Sequence, residues 1–491
     1  MKRILLLFIL LITTAQTIQS QTVVLDTNGV TVKWTGTTVP SPYFVQANPR
    51  GTMEWFAIVN NTTINNITNY AKNIQSGITY FTPPNSTIPI TFNNIVTTLV
   101  TDMSSLFANV TAFNQNIGNW DVGNVTDMTG MFLNTSNFNQ PIGSWNVSNV
   151  TSMSSMFYQN IAFNQPIGNW NVGNVNYMSL MFYGATSFNQ PIGNWNVSNV
   201  TSMNYMFSKT TYGAFAFNQN INSWNVGNVT NMSNMFSNNS TFNQFIGNWN
   251  VSRVNNMSNM FSNATSFNQP IGNWNVSNVT DMSGMIGGSL QYGNMVFNQN
   301  INSWNVGNVT NMSNMFWGAT VLNQPFGNWN VSKVNNMLGM FIGVTLSITN
   351  YDDLLIGWFT ISPNETPLKP NVSFSGGNSK YCNGASARSS IISTYGWTIT
   401  DAGQGSNCVL DTDQFETNSL KLYPNPVISI LNIKAENNLI NQPYTIIDGL
   451  GRVVLNCKLS EAESTINVEQ LSKGIYYLKI SGNSATKFIK E

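Results

Sequence analysis

The chain has 491 residues, no formal net charge at neutral pH and only 8% charged residues. This composition offers no basic surface for a nucleic acid backbone or an anionic membrane, so we expect no nucleic acid partner. Histidine is absent, which removes the commonest general base and the commonest metal ligand. Much catalytic and metal chemistry is therefore excluded before any motif is considered.

The first residues have the pattern of a secretory signal peptide. Two cationic residues precede nine apolar residues, Ile4–Ile12, and a short polar stretch follows. The apolar run is much shorter than the about 20 residues that a transmembrane helix needs. We therefore predict a signal peptide over residues 1–20, cleaved near Ala15 or Ser20, and no membrane span in the mature chain.

Residues 21–91 show strand-like alternation, as in VTVKW, and an apolar run, MEWFAIV, over Met53–Val59. The first unit of a repeat array exposes its apolar face unless another segment covers it. We predict that residues 21–91 form this N-terminal cap.

Residues 92–345 repeat one unit with the pattern FNQPIGNWNVSNVTxMSxMF. The extra residues of its two longest intervals fall at 209–216 and 287–296; since loops carry both variation and function, these insertions either border a binding face or are neutral. Nine tryptophans mark the repeat, at intervals of 25, 29 or 30 residues: Trp120, Trp145, Trp170, Trp195, Trp224, Trp249, Trp274, Trp304 and Trp329.

The apolar period changes within each unit, which indicates two elements per repeat. Trp and Val alternate in NWNV, as in a short strand, whereas Val229, Met232, Met235 and Phe236 follow one face of a short helix. Parallel strands under crossover elements would bury both sets. We predict an α/β repeat solenoid with one short parallel strand and one short helix per 25-residue coil.

The tryptophans have two interpretations. Indole rings can form a platform for sugar rings, or they can form an internal ladder. Every marked tryptophan lies in the same apolar frame, so the sequence favours the ladder as the repeat core. The recurrent Asn of FNQ is likewise predicted to satisfy turn backbone, because buried polar groups need partners.

Charged residues are sparse in the repeats and none recurs in every unit. The carboxylate clusters that glycan hydrolysis requires are missing, and so is a GGxGxD calcium pattern. We expect no enzyme activity, no catalytic residue, no cofactor and no metal site. Seven charged residues occupy residues 92–345: Asp102, Asp121, Asp127, Lys209, Arg253, Asp281 and Lys333.

The pattern changes after the repeats. Residues 346–408 keep apolar spacing but lose FNQ, and we predict a C-terminal cap fastened by a Cys382–Cys408 disulfide, which an exported chain permits. Residues 409–419 read as a linker. Residues 420–491 alternate apolar and polar residues between turns, which predicts a small all-β sandwich. Cys457 has no assigned role.

The motifs NWNVSNVTDMSGM, MSNMF and FNQPIGNW resemble the BspA-type bacterial surface repeat, a 25-residue relative of leucine-rich repeats. The resemblance covers about Phe92 to Phe341. It implies a leucine-rich-repeat-like solenoid and, as in some members, adhesion to host proteins or other cells. It does not identify the ligand.

The last segment resembles the type A C-terminal sorting domain of the type IX secretion system. This resemblance implies a Gram-negative, Bacteroidota-type envelope, contact with the type IX machinery, and removal of the domain with release or attachment at the outer surface. The residues that carry it are Pro424, Asn425, Pro426, Asp448, Gly451, Leu471, Gly474 and Tyr476.

Together these patterns predict a secreted or cell-surface, non-enzymatic repeat protein that recognises an unknown extracellular protein or glycan. The alternative is a structural component of an extracellular matrix or biofilm. The same low charge gives little repulsion between copies, so repeats of this kind could also self-associate.

Overall fold

The computed structural model describes residues 21–73, 80–210, 215–289, 291, 294–361, 365–406, 408, 421–435, 440–448, 452–480 and 486–491. The predicted signal peptide, the linker over 409–419 and Gly451 lie outside these residues. The chain divides into two compact units, residues 1–406 and 407–491. Among the described residues, none of the helices combines the length and apolar character needed to cross a membrane.

The predicted α/β solenoid is wrong. From residue 100 to residue 347 the described chain forms no α-helix and no strand longer than an isolated bridge. Each repeat consists of consecutive turns, and one isolated parallel bridge joins it to the next repeat. The bridge does not fall on the predicted NWNV strand but on the residue after VT or VN. The ten bridge residues are Asp102, Asp127, Ser152, Tyr177, Ser202, Asn231, Asn256, Asp281, Asn311 and Asn336.

The predicted helix is absent because left-handed residues interrupt it. In every repeat the residue before the second Met of MSxMF, or before Leu106 in the first repeat, has a positive φ, as Ser105 does at 56° and Leu180 at 59°. A right-handed helix cannot contain such a residue at each turn. Two successive turns instead place Met, Met and Phe inward, so the apolar spacing of a helix is met without one.

Hydrogen bonds between repeats replace those of a helix. The backbone N–H of Met128 donates to Ser152 O at 3.0 Å and that of Phe132 donates to Met156 O at 2.9 Å. Bonds within the repeat close the turns, as from Met131 N–H to Met128 O at 3.1 Å. The backbone of one repeat is therefore satisfied largely by its neighbour.

The segment before the repeats supplies five strands and one helix. Strands β1 (Val23–Leu25) and β2 (Val32–Trp34) pair antiparallel, and β3 (Phe44–Ala47), β4 (Glu54–Asn60) and β5 (Ile95–Leu99) form a second sheet in that order. Helix α1 spans Asn65–Asn73, and a short 3-10 helix spans Phe92–Asn94.

These elements bond to the first repeat. Val32 N–H donates to Asn119 O at 2.9 Å, and Thr68 Oγ1 donates to Leu106 O at 2.7 Å. One apolar core continues from Ala57 through the repeats to Ile399. The edge of the first repeat is thereby covered.

Two helices and a two-stranded parallel sheet follow the last repeat. Helix α2 (Ile348–Phe359) and helix α3 (Ala385–Tyr395) lie with strands β6 (Ser373–Ser375) and β7 (Thr398–Thr400). Phe374 forms a parallel bridge with Met337, which covers the other edge of the repeats.

Asp352 fastens these two helices together. It lies in α2, and its carboxylate accepts hydrogen bonds from the backbone N–H groups of Cys382, Asn383 and Gly384 at 2.8 to 2.9 Å. Those groups precede α3, where a carboxylate is favoured by the unpaired N–H groups and the helix dipole. The buried Asp352 therefore has a structural partner.

The second unit contains two antiparallel sheets around one core. The first has the order β11 (Val453–Lys458), β10 (Pro443–Asp448), β13 (Gly474–Ile480), β14 (Thr486–Lys490). The second has the order β12 (Glu463–Asn467), β9 (Ile430–Lys434), β8 (Lys421–Tyr423).

Candidate recognition face

The nine marked tryptophans lie inside the repeats and are only 1 to 3% exposed. Trp170 is representative: its ring is parallel to those of Trp145 and Trp195, with centroids 6.4 and 6.5 Å apart. Its indole N–H donates to Ile142 O of the preceding repeat at 3.1 Å. A buried indole needs such an acceptor, so these rings form a satisfied internal column and are closed to ligands.

The Asn of FNQ forms a second column, at the half-buried surface. Asn189 Oδ1 accepts from the backbone N–H of Asn218 and from Gln219 Nε2, both at 3.0 Å. The same hydrogen bonds recur between successive repeats. The last of them joins the final FNQ-type asparagine to helix α2, where Asn350 Nδ2 donates to Asn323 Oδ1 at 2.9 Å. These amides hold the repeats in register and have little capacity left for a ligand.

A third row of side chains is formed by the third residue of each VSNV segment. Asn278 Nδ2 donates to Ser252 O at 2.6 Å. At the equivalent position of other repeats, Arg253 and Lys333 donate to Asn228 Oδ1 and Asn308 Oδ1 at 2.7 and 2.6 Å. A positively charged side chain can therefore replace the asparagine at this position, and the hydrogen bond to the preceding repeat is kept.

A further set of positions, which range from the buried Ser208 to the exposed Trp317 and Ile342, forms what we call the candidate face. It comprises the left-handed residue before the second Met and the two residues after the Phe. The residue directly after the Phe, or after Ile286 in the eighth repeat, varies most: Ala108, Leu133, Tyr158, Tyr183, Ser208, Ser237, Ser262, Gly287, Trp317 and Ile342.

Aromatic side chains occupy two parts of this face. Tyr158 and Tyr183 stack with centroids 4.8 Å apart, and Tyr205 meets Tyr183 edge-on at 6.0 Å. Trp317 lies four repeats beyond Tyr205 and is 36% exposed. Burial raises the pKa of Tyr183 and lowers that of Lys209, at the start of the first insertion.

A cleft of about 280 Å³ opens on the face between these aromatic groups and beside the second insertion. None of its described lining residues is charged. It is lined by Asn259, Ser262, Asn263, Ser283, Gly284, Gly287, Gly288, Ser289, Ser313, Asn314 and Trp317.

No sequence pattern predicted this cleft. A usable signal was present, because Trp317 is a tenth tryptophan of the repeat region that falls outside the regular spacing. The prediction that the insertions border a binding face remains open, since part of each lies outside the described residues.

Cys382 and Cys408 are joined in a disulfide, whereas Cys457 is free and exposed on β11. Among the described residues, no group of three or more Cys, Asp or Glu side chains is arranged to hold a metal ion.

The described residues of the predicted sorting signal lie in the turns and the core of the second unit. Asn425, between Pro424 and Pro426, accepts from Ile489 N–H of β14 at 2.8 Å. The Tyr476 hydroxyl donates to Ser472 O at 2.8 Å, and its ring stacks on Phe488. Three more residues have local roles: Asp448 pairs with Arg452, Leu471 packs against the core, and Gly474 begins β13.

Comparison with known families defines the class of protein. Residues 421–491 match the secretion system C-terminal sorting domain. The chain is therefore an exported repeat protein whose sorting domain implies type IX secretion, contact with that machinery, and a final location at the cell surface or outside the cell.

The repeats define the family. Residues 101–214, 210–296 and 288–353 match the family described as "Mycoplasma protein of unknown function, DUF285", and together they span just over half of the chain. The chain belongs to this family. No curated protein and no solved structure matches it.

Proposed function

We propose that this exported protein recognises a partner outside the cell through the candidate face, and that it serves adhesion without catalysis. One observation carries the proposal. Interior positions of the repeats hold the same residues again and again, whereas the position after the Phe ranges from glycine to tryptophan.

Packing explains why the interior is uniform. The Met and Phe side chains of a repeat are enclosed by the repeats on either side, and a change of even one methylene is felt in such a core. The position after the Phe is less constrained, since its residues range from the buried Ser208 to the exposed Trp317 and Ile342. Its variation therefore gives each part of the face its own chemistry while the scaffold stays the same.

The size of the face supports a macromolecular partner. Ten repeats at about 4.8 Å per rung extend roughly 45 Å. A standard protein interface needs only about 800 Å² on each partner. Most of the side chains available are amides, hydroxyls, aromatic rings and aliphatic groups, and Lys209 is the one charged residue at these positions, so binding through them would depend little on salt.

The covered ends bear on the alternative of a self-associating matrix component. Growth by end-to-end stacking requires an open repeat at each end. The first repeat bonds to β2 and α1, and the last is bridged by β6. These contacts favour recognition over end-to-end assembly.

A binding and competition experiment tests the proposal. The purified exported protein is applied to immobilised matrix proteins, glycans and whole cells, and is then added as a competitor while the producing bacteria attach. We expect saturable binding to at least one surface and reduced attachment. A protein that binds none of them, leaves attachment unchanged and forms large assemblies as its concentration rises would refute recognition in favour of the matrix role.

A further inference from the structure

We propose that the cleft beside Trp317 binds a neutral glycan, with the indole of Trp317 as the platform for a sugar ring. This inference rests on the proposed recognition function and names the ligand class and the site. Three features of the cleft carry it: its glycine floor, its unused amide groups and its exposed indole.

The floor contains three glycines of the eighth repeat, at positions where some other repeats carry larger residues such as Leu180 and Tyr183. A Cβ at Gly284 would collide with Asn259 Oδ1, one at Gly287 with Asn314 O, and one at Gly288 would lie 2.9 Å from Asn263 Oδ1. The neighbouring repeats therefore lie close against these glycines, which project no side chain into the cleft.

Two amide groups flank the floor. Asn259 and Asn314 are the left-handed residues of the repeats before and after Gly284, with φ of 53° and 55°. Within the described part of the chain, neither side chain makes a hydrogen bond, unlike the amides of the FNQ column. Each amide offers both donors and an acceptor, which is what the hydroxyl groups of a sugar require.

Trp317 differs from the tryptophans of the internal column. Those side chains are at most 3% exposed and their N–H groups are satisfied, whereas Trp317 is 36% exposed. An exposed indole offers a large apolar surface and a polar edge. Such a surface suits the C–H groups on one side of a sugar ring, while amides bind the hydroxyls at its rim.

Size and charge select the ligand class. A cavity of about 280 Å³ is just below the range of about 300 to 1,000 Å³ that small-molecule sites occupy. That volume suits a short saccharide segment better than a folded protein. The uncharged lining favours neutral sugars over uronic acids or sialylated chains, because an acidic group would be desolvated without a cation.

The test uses the purified exported protein and defined oligosaccharides. The probes are neutral trisaccharides and tetrasaccharides of glucose, mannose, galactose, xylose and N-acetylglucosamine, with oligogalacturonate as the acidic counterpart. Binding is measured by calorimetry. We expect at least one neutral probe to bind and Trp317→Ala to weaken it about tenfold, the loss expected for an aromatic stacking contact.

Two further variants separate binding from folding. Asn314→Leu removes an amide at a position where Leu180 already occurs with φ of 59°, and Ser262→Tyr fills the cleft at a position where Tyr183 already occurs. Both should lose the probe and keep the melting temperature. Tyr177→Ser is the matched control, because it removes a 54% exposed aromatic ring outside the candidate face, at a position where Ser152 and Ser202 occur in the neighbouring repeats, and it should bind normally.

The outcomes distinguish the inference from the proposed function. If no neutral probe binds, or if Trp317→Ala binds as the wild type does, the glycan site is refuted. Attachment to proteins or cells in that case leaves the recognition function standing. Stronger binding of oligogalacturonate than of every neutral probe would also refute the neutral ligand class. Loss of all binding to cells, proteins and glycans refutes both.

Discussion

Replacing Trp170 with alanine removes one ring from the middle of the internal tryptophan column. Trp170 is 3% exposed, stacks on Trp145 and Trp195, and donates its indole N–H to Ile142 O. The substitution leaves a cavity between two repeats and removes one of the two donors to Ile142 O, which also accepts from Trp145 N–H at 3.2 Å. The repeats on both sides lose contact area.

The expected loss follows from these contacts. Truncation of a buried tryptophan to alanine costs about 3 to 5 kcal/mol through lost transfer energy and the cavity. Loss of the indole hydrogen bond adds less than about 1 kcal/mol, because the Ile142 carbonyl still accepts from Trp145 N–H. We therefore expect a decrease in the free energy of unfolding of roughly 4 kcal/mol.

Native-state hydrogen exchange measures this loss where it occurs. Amides in the repeats around Trp170 should exchange much faster, since each repeat depends on its neighbours. Trp317→Ala is the matched control, because the same residue type is 36% exposed there, and it should lower the free energy of unfolding clearly less than Trp170→Ala does. Equal effects of the two substitutions would refute the internal column.

Three further predictions concern the Asn column, the disulfide and the sorting domain. Asn189→Leu removes the acceptor of Asn218 N–H and should lower the unfolding free energy by about 1 to 2 kcal/mol in chemical denaturation; an unchanged midpoint would contradict the role of the column. Reduction of the Cys382–Cys408 disulfide should cost about 3 kcal/mol, measured by thermal unfolding with and without reductant, and equal melting curves would count against it. Deletion of residues 421–491 should retain the protein inside the envelope, as measured by cell fractionation, whereas normal appearance in the medium would show that another signal suffices.

The repeat spacing and the sorting domain could be predicted from sequence. The regular tryptophan intervals fix which residues are equivalent, and YPNPV with LSKGIYYLKI marks the domain that the family comparison found. Both signals depend on residue identity at fixed spacing, so they are visible without coordinates.

The backbone conformation of the repeats could not be predicted in this way. Met at i and i+3 with Phe at i+4 fits one face of a helix, and it fits two consecutive turns equally well. The helix and the pair of turns differ in the sign of φ at the residue before the second Met, such as Ser155 or Asn259. Serine, leucine and tyrosine occupy that position as well as asparagine and glycine. The residue type therefore did not indicate a positive φ.

The cleft was missed for a related reason. Regular features dominate a repeat sequence. The cleft depends on residues that depart from the repeat pattern, such as Trp317 and Gly287. Their proximity depends on which repeats are adjacent at the surface. The geometry of the turns supplies that information.

The most direct test of the central claim is a lysine scan that measures binding to the recognised surface. Leu133→Lys, Ser262→Lys and Ile342→Lys, made separately, place a charge on the candidate face. Asn278→Lys places one outside it, at a position where Arg253 and Lys333 occur naturally in other repeats. The account predicts that at least one face variant loses binding by about tenfold or more, with melting unchanged, and that Asn278→Lys binds normally. Full binding by all three face variants, or an equal loss for Asn278→Lys, would contradict it.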